Sequence, residues 1–297
     1  MDFTLDQLGA LEAIARTGSF ARAATELRRV PSAITHTVKT LEAALGVALF
    51  DREKRPRLTR DGEHVVELAR GVLERARALE RAAGVLSTGW ESELRVVVDG
   101  SLPMDPLMTC LRRFADPSVP TVLRVDVEYQ DGVMERFRSG ADVALLHGLD
   151  FDGDERGLQL RALPPLEMLL IASADHPLAR AAVTEASRAE HAELIVRDSS
   201  TRFESRSRPS FIGSRNVVYL SDFHSKRLAL LAGAGYGWIP GHLVADVLAS
   251  GALVVLEASP SRWTYQPQLA TREGQGLGRG AQLFVDTLLA AADAPEG

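Results

Sequence analysis

The chain has 297 residues, 45% of them apolar, enough to bury a substantial core and to suggest two domains. No run approaches the ~18 apolar residues of a membrane span, and Asp2 and Asp6 interrupt any basic-then-apolar leader profile, so a soluble cytoplasmic protein is expected. The single cysteine, Cys110, excludes an intrachain disulfide framework, and the net charge of −6 divides into +2 over residues 1–62 (ten Lys/Arg, eight Asp/Glu) and −8 over the remainder (twenty-four against thirty-two).

Thr4-Leu5-Asp6-Gln7 has the spacing of a capping box, and Leu8, Leu11 and Ala15 follow as an apolar stripe at helical spacing. Gly18 ends that helix and Ser19 caps the next. Phe20, Ala23, Ala24 and Leu27 then give a short second helix one buried face, with two small alanines that let another helix approach closely. After Arg28-Arg29-Val30, Pro31 suits the first turn of a third helix, where its missing N–H loses no useful bond.

On that third helix Ile34, Val38, Leu41 and Leu45 form the inward face, and Ser32, Thr35, His36 and Lys39 form the opposite one. The polar face suits either plain solvation or the reading of base edges in a major groove. The segment after the helix favours the second. Gly46 stops the helix, Val47-Ala48-Leu49-Phe50 reads as a short buried strand, and Arg52, Lys54, Arg55 and Arg57 crowd the turn before Leu58-Thr59. A basic hairpin beside such a helix suits phosphate contacts, which supply affinity and register but little sequence information. The combination is an all-α winged helix-turn-helix.

Gly18-Ser19-Phe20, Ala23-Ala24, Leu27, Ser32-Ala33, Lys39, Leu41-Glu42, Leu45-Gly46-Val47, Leu49-Phe50, Arg52, Leu58-Thr59 and Gly62 resemble the LysR-type transcriptional regulators, in a subgroup with Val30-Pro31-Ser32-Ala33 at the start of the third helix. The resemblance is strong over the first sixty residues and looser beyond them. It implies a sequence-specific DNA-binding transcription factor and not an enzyme, with double-stranded promoter DNA and RNA polymerase as partners. The candidate DNA contacts are Ser19, Arg29, Pro31, Ser32, Thr35, His36 and Lys39, with Arg52, Lys54, Arg55 and Arg57 from the wing. Many relatives carry a polar residue in place of Pro31 and an arginine in place of His36, so the operator sequence does not carry over.

From Arg60 to about Ser87 the pattern is one long helix of about 40 Å. Val65, Val72, Leu79 and Leu86 recur every seven residues, with Ala69, Ala76 and Ala83 interleaved, as in a close-packed coiled coil or a helix lying on its own domain. The resemblance implies the first: a homodimer through this helix, and a tetramer of two dimers. Gly84, Gly89 and Trp90 mark a hinge. The expected organisation is a DNA-binding domain over 1–59, a linker helix and hinge over 60–90, and a regulatory domain over 91–297.

Beyond residue 92 strands and helices alternate, as in an α/β domain with a largely parallel sheet. Strands are expected at Leu94–Val98, Val122–Tyr129, Val143–Leu146, Leu166–Ala172, Tyr236–Pro240 and Gln268–Ala270. Helices are expected from Asp105 to Phe114, from a cap at Asp131 to Gly140, from a cap at Asp222 through Ala232, and at the end through Ala292. The Asp142 position, the Asp175-His176-Pro177-Leu178 turn and the Gly233–Pro240 stretch resemble the family's effector domain. That resemblance implies two lobes related to periplasmic binding proteins, the first about 91–163 and 267–297, the second about 164–266. The glycines of that stretch follow a helix and precede a strand, the reverse of a dinucleotide fingerprint.

A ligand in such a fold sits between the lobes, beyond the carboxyl ends of strands. The candidates are Ser101, Leu102, Gln130, Asp131, His147 and Gly148 from the first lobe, and Ser199, Ser200, Phe203, Ser221 and Asp222 from the second. Amides at the helix starts suit an anion such as a small carboxylate. No cofactor or metal is implied: no second ligand lies at a metal-like spacing from His147 or His224, and no nucleophile elbow, phosphate loop or zinc motif points to an enzyme. A redox role for Cys110 would need a resolving cysteine, which the chain lacks.

Overall fold

A computed structural model describes residues 2–51, 57–148, 157–180, 182–200, 214, 216–274 and 276–293. Arg52, Lys54 and Arg55 of the expected wing, and Phe203 of the expected effector set, lie outside the described residues. The chain divides into two compact units, Met1–Ala83 and Gly84–Gly297.

In the first unit, Thr4 and Gln7 form the capping box that starts α1 (Leu5–Thr17), and Gly18 closes it at φ 63°. Ser19 accepts the Arg22 amide at the start of α2 (Phe20–Glu26). A turn through Arg28, at φ 53°, leads to α3 (Pro31–Leu45), which begins on its proline as the sequence suggests. Ala10, Ala13, Ile14, Ala23, Ala24, Ile34 and Val38 make one core. Leu8, Leu11, Leu41 and Leu49 make another with Val66, Ala69 and Leu73 of α4 (Arg60–Thr88). Gly62 is required where α4 passes, because a side chain there would run into the Leu49 carbonyl.

Two expectations fail in this unit. Leu27 is 36% exposed, because α2 ends at Glu26 before its face completes another turn. Val47–Phe50 forms no strand: Phe50 makes a single antiparallel bridge to Leu58. The amides of Leu49 and Phe50 are taken instead by the Glu42 carboxylate, at 2.7 and 3.3 Å, so a side chain does the work of a neighbouring strand.

The second unit runs β1 (Glu93–Asp99), α5 (Asp105–Phe114), β2 (Val122–Glu128), α6 (Asp131–Arg138), β3 (Val143–Leu146), β4 (Leu158–Ala162), β5 (Leu166–Ser173), α7 (Glu185–Ala189), β6 (Ala192–Val196) and β7 (Asn216–Leu220). It continues with α8 (Phe223–Leu231), β8 (Tyr236–Pro240), α9 (Ala245–Ala249), β9 (Leu253–Val255), β10 (Arg262–Tyr265), β11 (Gln268–Arg272) and α10 (Arg279–Ala292). The strands form two sheets, β2-β1-β3-β11-β4 and β10-β5-β8-β6-β7, with β9 also on β5.

Neither sheet is largely parallel, contrary to expectation. β1 runs parallel to β2 and β3, but β11 is antiparallel to both β3 and β4. β6 runs parallel to β7 and β8, but β5 is antiparallel to β8, β9 and β10. The cause is the path of the chain. It leaves the first sheet after β4 and returns only at β11, so the returning strand enters against its neighbours. Asp131 is not the cap of α6 but its first residue; Gln130 caps it, with no side-chain cap bond.

Candidate DNA-reading head and effector cleft

On α3, Pro31, Ser32, Thr35, His36 and Lys39 are all exposed, opposite the buried Ile34, Val38 and Leu41. The Thr35 hydroxyl donates to the Pro31 carbonyl at 3.0 Å, which fixes its rotamer and leaves its lone pairs and methyl outward. Ser19 stands at the start of α2, and Arg29 is held by Asp6 at 2.8 Å, both exposed enough for the pair to exchange for a phosphate at little cost. Arg57 is exposed at the returning arm of the wing, where its carbonyl accepts the Asp51 amide. Glu42, which ties α3 to the wing through Leu49 and Phe50, has a role the helical pattern alone does not reveal.

Along α4 the faces divide. Val66, Ala69 and Leu73 are buried in the unit's own core, whereas Leu68, Val72 and Leu79 are 59, 42 and 72% exposed. Ala69 therefore belongs to the intrachain face, contrary to its expected place between the heptad positions, and Leu68 lies on the exposed side.

In the second unit the expected effector residues fall into groups. Asp99 is buried and gathers two of them, its carboxylate accepting the amides of Ser101 at 2.8 Å and Gln130 at 3.0 Å. His147 stacks on Tyr265 with ring centres 3.9 Å apart, and the Tyr265 hydroxyl donates to the Ser101 carbonyl at 3.2 Å. Gly148, at φ 89°, admits no side chain because the Gln266 carbonyl oxygen occupies the space. Leu102 is buried in the core, and Asp131 is half-buried in the first turn of α6. Ser101 Oγ and the indole N–H groups of Trp238 and Trp263 are buried with no hydrogen-bond partner among the described residues.

Ser199, Ser200 and Ser221 line a cleft of about 370 Å³ together with Val127, Tyr129, Arg197 and Asp198, four residues that the sequence pattern does not single out. Among the described residues no acid pairs with the Arg197 guanidinium. Tyr129 packs its ring edge against Phe223, 5.8 Å between centres, and burial first, then Asp222 and Asp99, raise its hydroxyl pKa. Asp222 caps α8 by accepting the Ser225 amide at 2.7 Å; that bond is the largest cause of its lowered pKa. The start of α6 is likewise taken: Asp198 accepts the Gly132 amide at 3.3 Å. One amide at each of these two helix starts thus already bonds a carboxylate of the chain itself.

The comparisons agree with this geometry. Residues 5–63 match the family described as bacterial regulatory helix-turn-helix protein, lysR family, and residues 87–293 match the LysR substrate binding domain. The chain belongs to the LysR family and is a LysR-type transcriptional regulator with a substrate-binding domain. It is 33% identical over 261 residues to the probable HTH-type transcriptional regulator YhaJ of Escherichia coli, covering 85% of each chain. It shares the fold of full-length CbnR, solved with its target DNA, at a TM-score of 0.57 and 20% identity over 98% of this chain and 100% of that one. Full-length LysG of Corynebacterium glutamicum, solved with bound effector Arg, matches at 0.52 and 21% over 98% of each. Among the described residues no helix is long and apolar enough to cross a membrane.

Proposed function

We propose that this chain binds promoter DNA in the cytoplasm as a homodimer joined through α4, two dimers forming a tetramer, and answers to a small molecule held between the two sheets of its second unit. The observation that carries the reading is the exposed row Ser32, Thr35, His36 and Lys39 on a helix whose other face is buried. A dimer places two such helices on half-sites about 34 Å apart, one turn of duplex. The exposed Leu68, Val72 and Leu79 supply the seam. The cleft of about 370 Å³ suits a small effector. Arg197 in its lining favours one carrying a carboxylate. The protein acts by binding, without cofactor or catalysis, and passes its signal to RNA polymerase.

The test is binding of purified protein to genomic DNA fragments at two salt concentrations, with sequencing of the fragments retained. Enrichment of a site with dyad symmetry is expected; salt-labile binding with no preferred site overturns the reading. Changing Lys54, Arg55 and Arg57 together to alanine should weaken binding on every DNA sequence and flatten its salt dependence. Unchanged affinity would remove the wing from the interface.

A further inference from the structure

α1, α2 and α3 each run out into a left-handed residue, and the chain fills the three positions differently. α1 closes on Gly18 at φ 63° and α3 on Gly46 at φ 69°, where glycine meets no steric cost. α2 passes through Leu27 to Arg28 at φ 53°. The Arg28 amide donates to the Thr25 carbonyl at 3.2 Å and the Arg29 amide to the Ala24 carbonyl at 2.8 Å. This pair of bonds is the Schellman arrangement, whose left-handed residue is ordinarily glycine or asparagine. An arginine there works against the fold, because its Cβ crowds the following carbonyl.

Nothing within the chain compensates for it. Arg16 is paired with Glu26 and Arg29 with Asp6, but the Arg28 side chain is exposed and makes no hydrogen bond or ion pair among the described residues. Residues held in sparsely populated conformations gather at ligand contacts. Its place in the fold indicates which ligand. Arg28 lies in the turn between α2 and α3, just ahead of Pro31 and Ser32, where the exposed row of α3 begins. When the second helix of such a pair enters the major groove, the first crosses the sugar-phosphate backbone, so the turn between them comes to the rim of the groove. A guanidinium at that rim meets phosphate oxygens, which it can bond bidentately.

We propose that Arg28 is a phosphate-contact residue: the turn of the head keeps a strained left-handed arginine because its side chain grips the DNA backbone beside the bases that α3 reads. The inference rests on the DNA-binding head alone, not on the dimer seam or the cleft. The contact supplies affinity and register and carries no sequence information. It adds to the face of α3 a basic group that the helical period does not contain.

The experiment uses the full-length protein and two probes, the genomic fragment most enriched by the wild-type chain and a random duplex of equal length. Each is titrated at several salt concentrations with the parent, Arg28→Gly and Arg28→Lys, and thermal unfolding is followed alongside. Arg28→Gly should bind both DNAs about tenfold more weakly and lower the salt slope by about 1 for each head engaged, while melting no lower than the parent. Arg28→Lys keeps the charge and should retain the salt slope and most of the affinity. An arginine kept only to hold the turn cannot lose binding without losing stability. Unchanged affinity and slope in Arg28→Gly overturns the proposal. A loss confined to the enriched fragment also overturns it, since Arg28 would then be reading a base. So does a lowered melting temperature with an unchanged slope, which would make the arginine a prop of the turn. If the wild-type protein enriches no fragment, the sequence-specific reading falls and the random duplex still decides Arg28; no binding to the duplex either would overturn both.

Discussion

On α3 the side chains of Ser32, His36 and Lys39 stand exposed to solvent, whereas in the cleft Asp198 and Ser199 already give polar groups to the chain itself. The difference lies in the surroundings of each. DNA replaces water on the head, so contact there breaks little within the protein. On the proposed reading, a ligand in the cleft would exchange with existing bonds, which would couple its binding to a change of conformation. One region is built to be ready and the other to be altered.

Separating the two heads should break the comparison most severely. Changing Val72 and Leu79 together to glutamate puts charge on the exposed seam of α4. Sedimentation should show a monomer, and operator affinity should fall by about 10²–10⁴, the advantage of linking two sites. An intact dimer would move the interface off α4.

The next largest effect lies beneath α8. Lys226 and Glu193 are both buried there. Burial pushes the lysine from 10.5 down to about 7, against the pull of Glu193. The unfolded chain therefore holds more protons between those values, so stability should rise with pH from about 7 to 10.5 and this contribution should vanish in Lys226→Met. At pH 6, where the lysine is charged, Glu193→Gln should destabilise the protein in urea unfolding more than it does at pH 9, because it removes the carboxylate that favours the buried cation. Pairing Lys226→Met with Glu193→Leu should recover most of that loss.

Legibility in the sequence divides along the same line. The helices α3, α5 and α10 and the strands β3 and β8 show themselves through apolar spacing, capping residues and bounding glycines or prolines. β7 and β10 escape such a reading because they are short and largely exposed, so they lack a buried run. The reading face is legible because its residues lie within one helix and share its period. The cleft is only partly legible: Ser199 and Tyr129 are 70 positions apart, and no local pattern pairs them. The aspartate that gathers Ser101 and Gln130 sits at the end of a strand that reads simply as buried.

Single changes on the head should sharpen the contrast between reading and holding. His36→Ala should lose about 0.5–1.5 kcal/mol on the preferred operator and little on random DNA, since it removes one base-edge bond. Lys39→Ala should weaken both alike and lower the salt slope by about 1. Titrations on both DNAs at several salt concentrations separate the two. Equal losses for the two variants on both DNAs would mean that His36 faces the backbone.

The smallest expected effect concerns Cys110, where a chemical signal could bypass the cleft. Its thiol lies on α5 with no exposed surface, donates toward the Phe284 carbonyl at 3.7 Å, and is pushed up to about 12 by burial. The thiolate is the reactive form, so native protein at pH 8 should resist iodoacetamide and peroxide while unfolded protein is alkylated at once. Cys110→Ala should bind the operator as the parent does, before and after peroxide. Rapid alkylation of the folded protein would mean that α5 opens readily from α10, and that the second unit has a route to change besides its cleft.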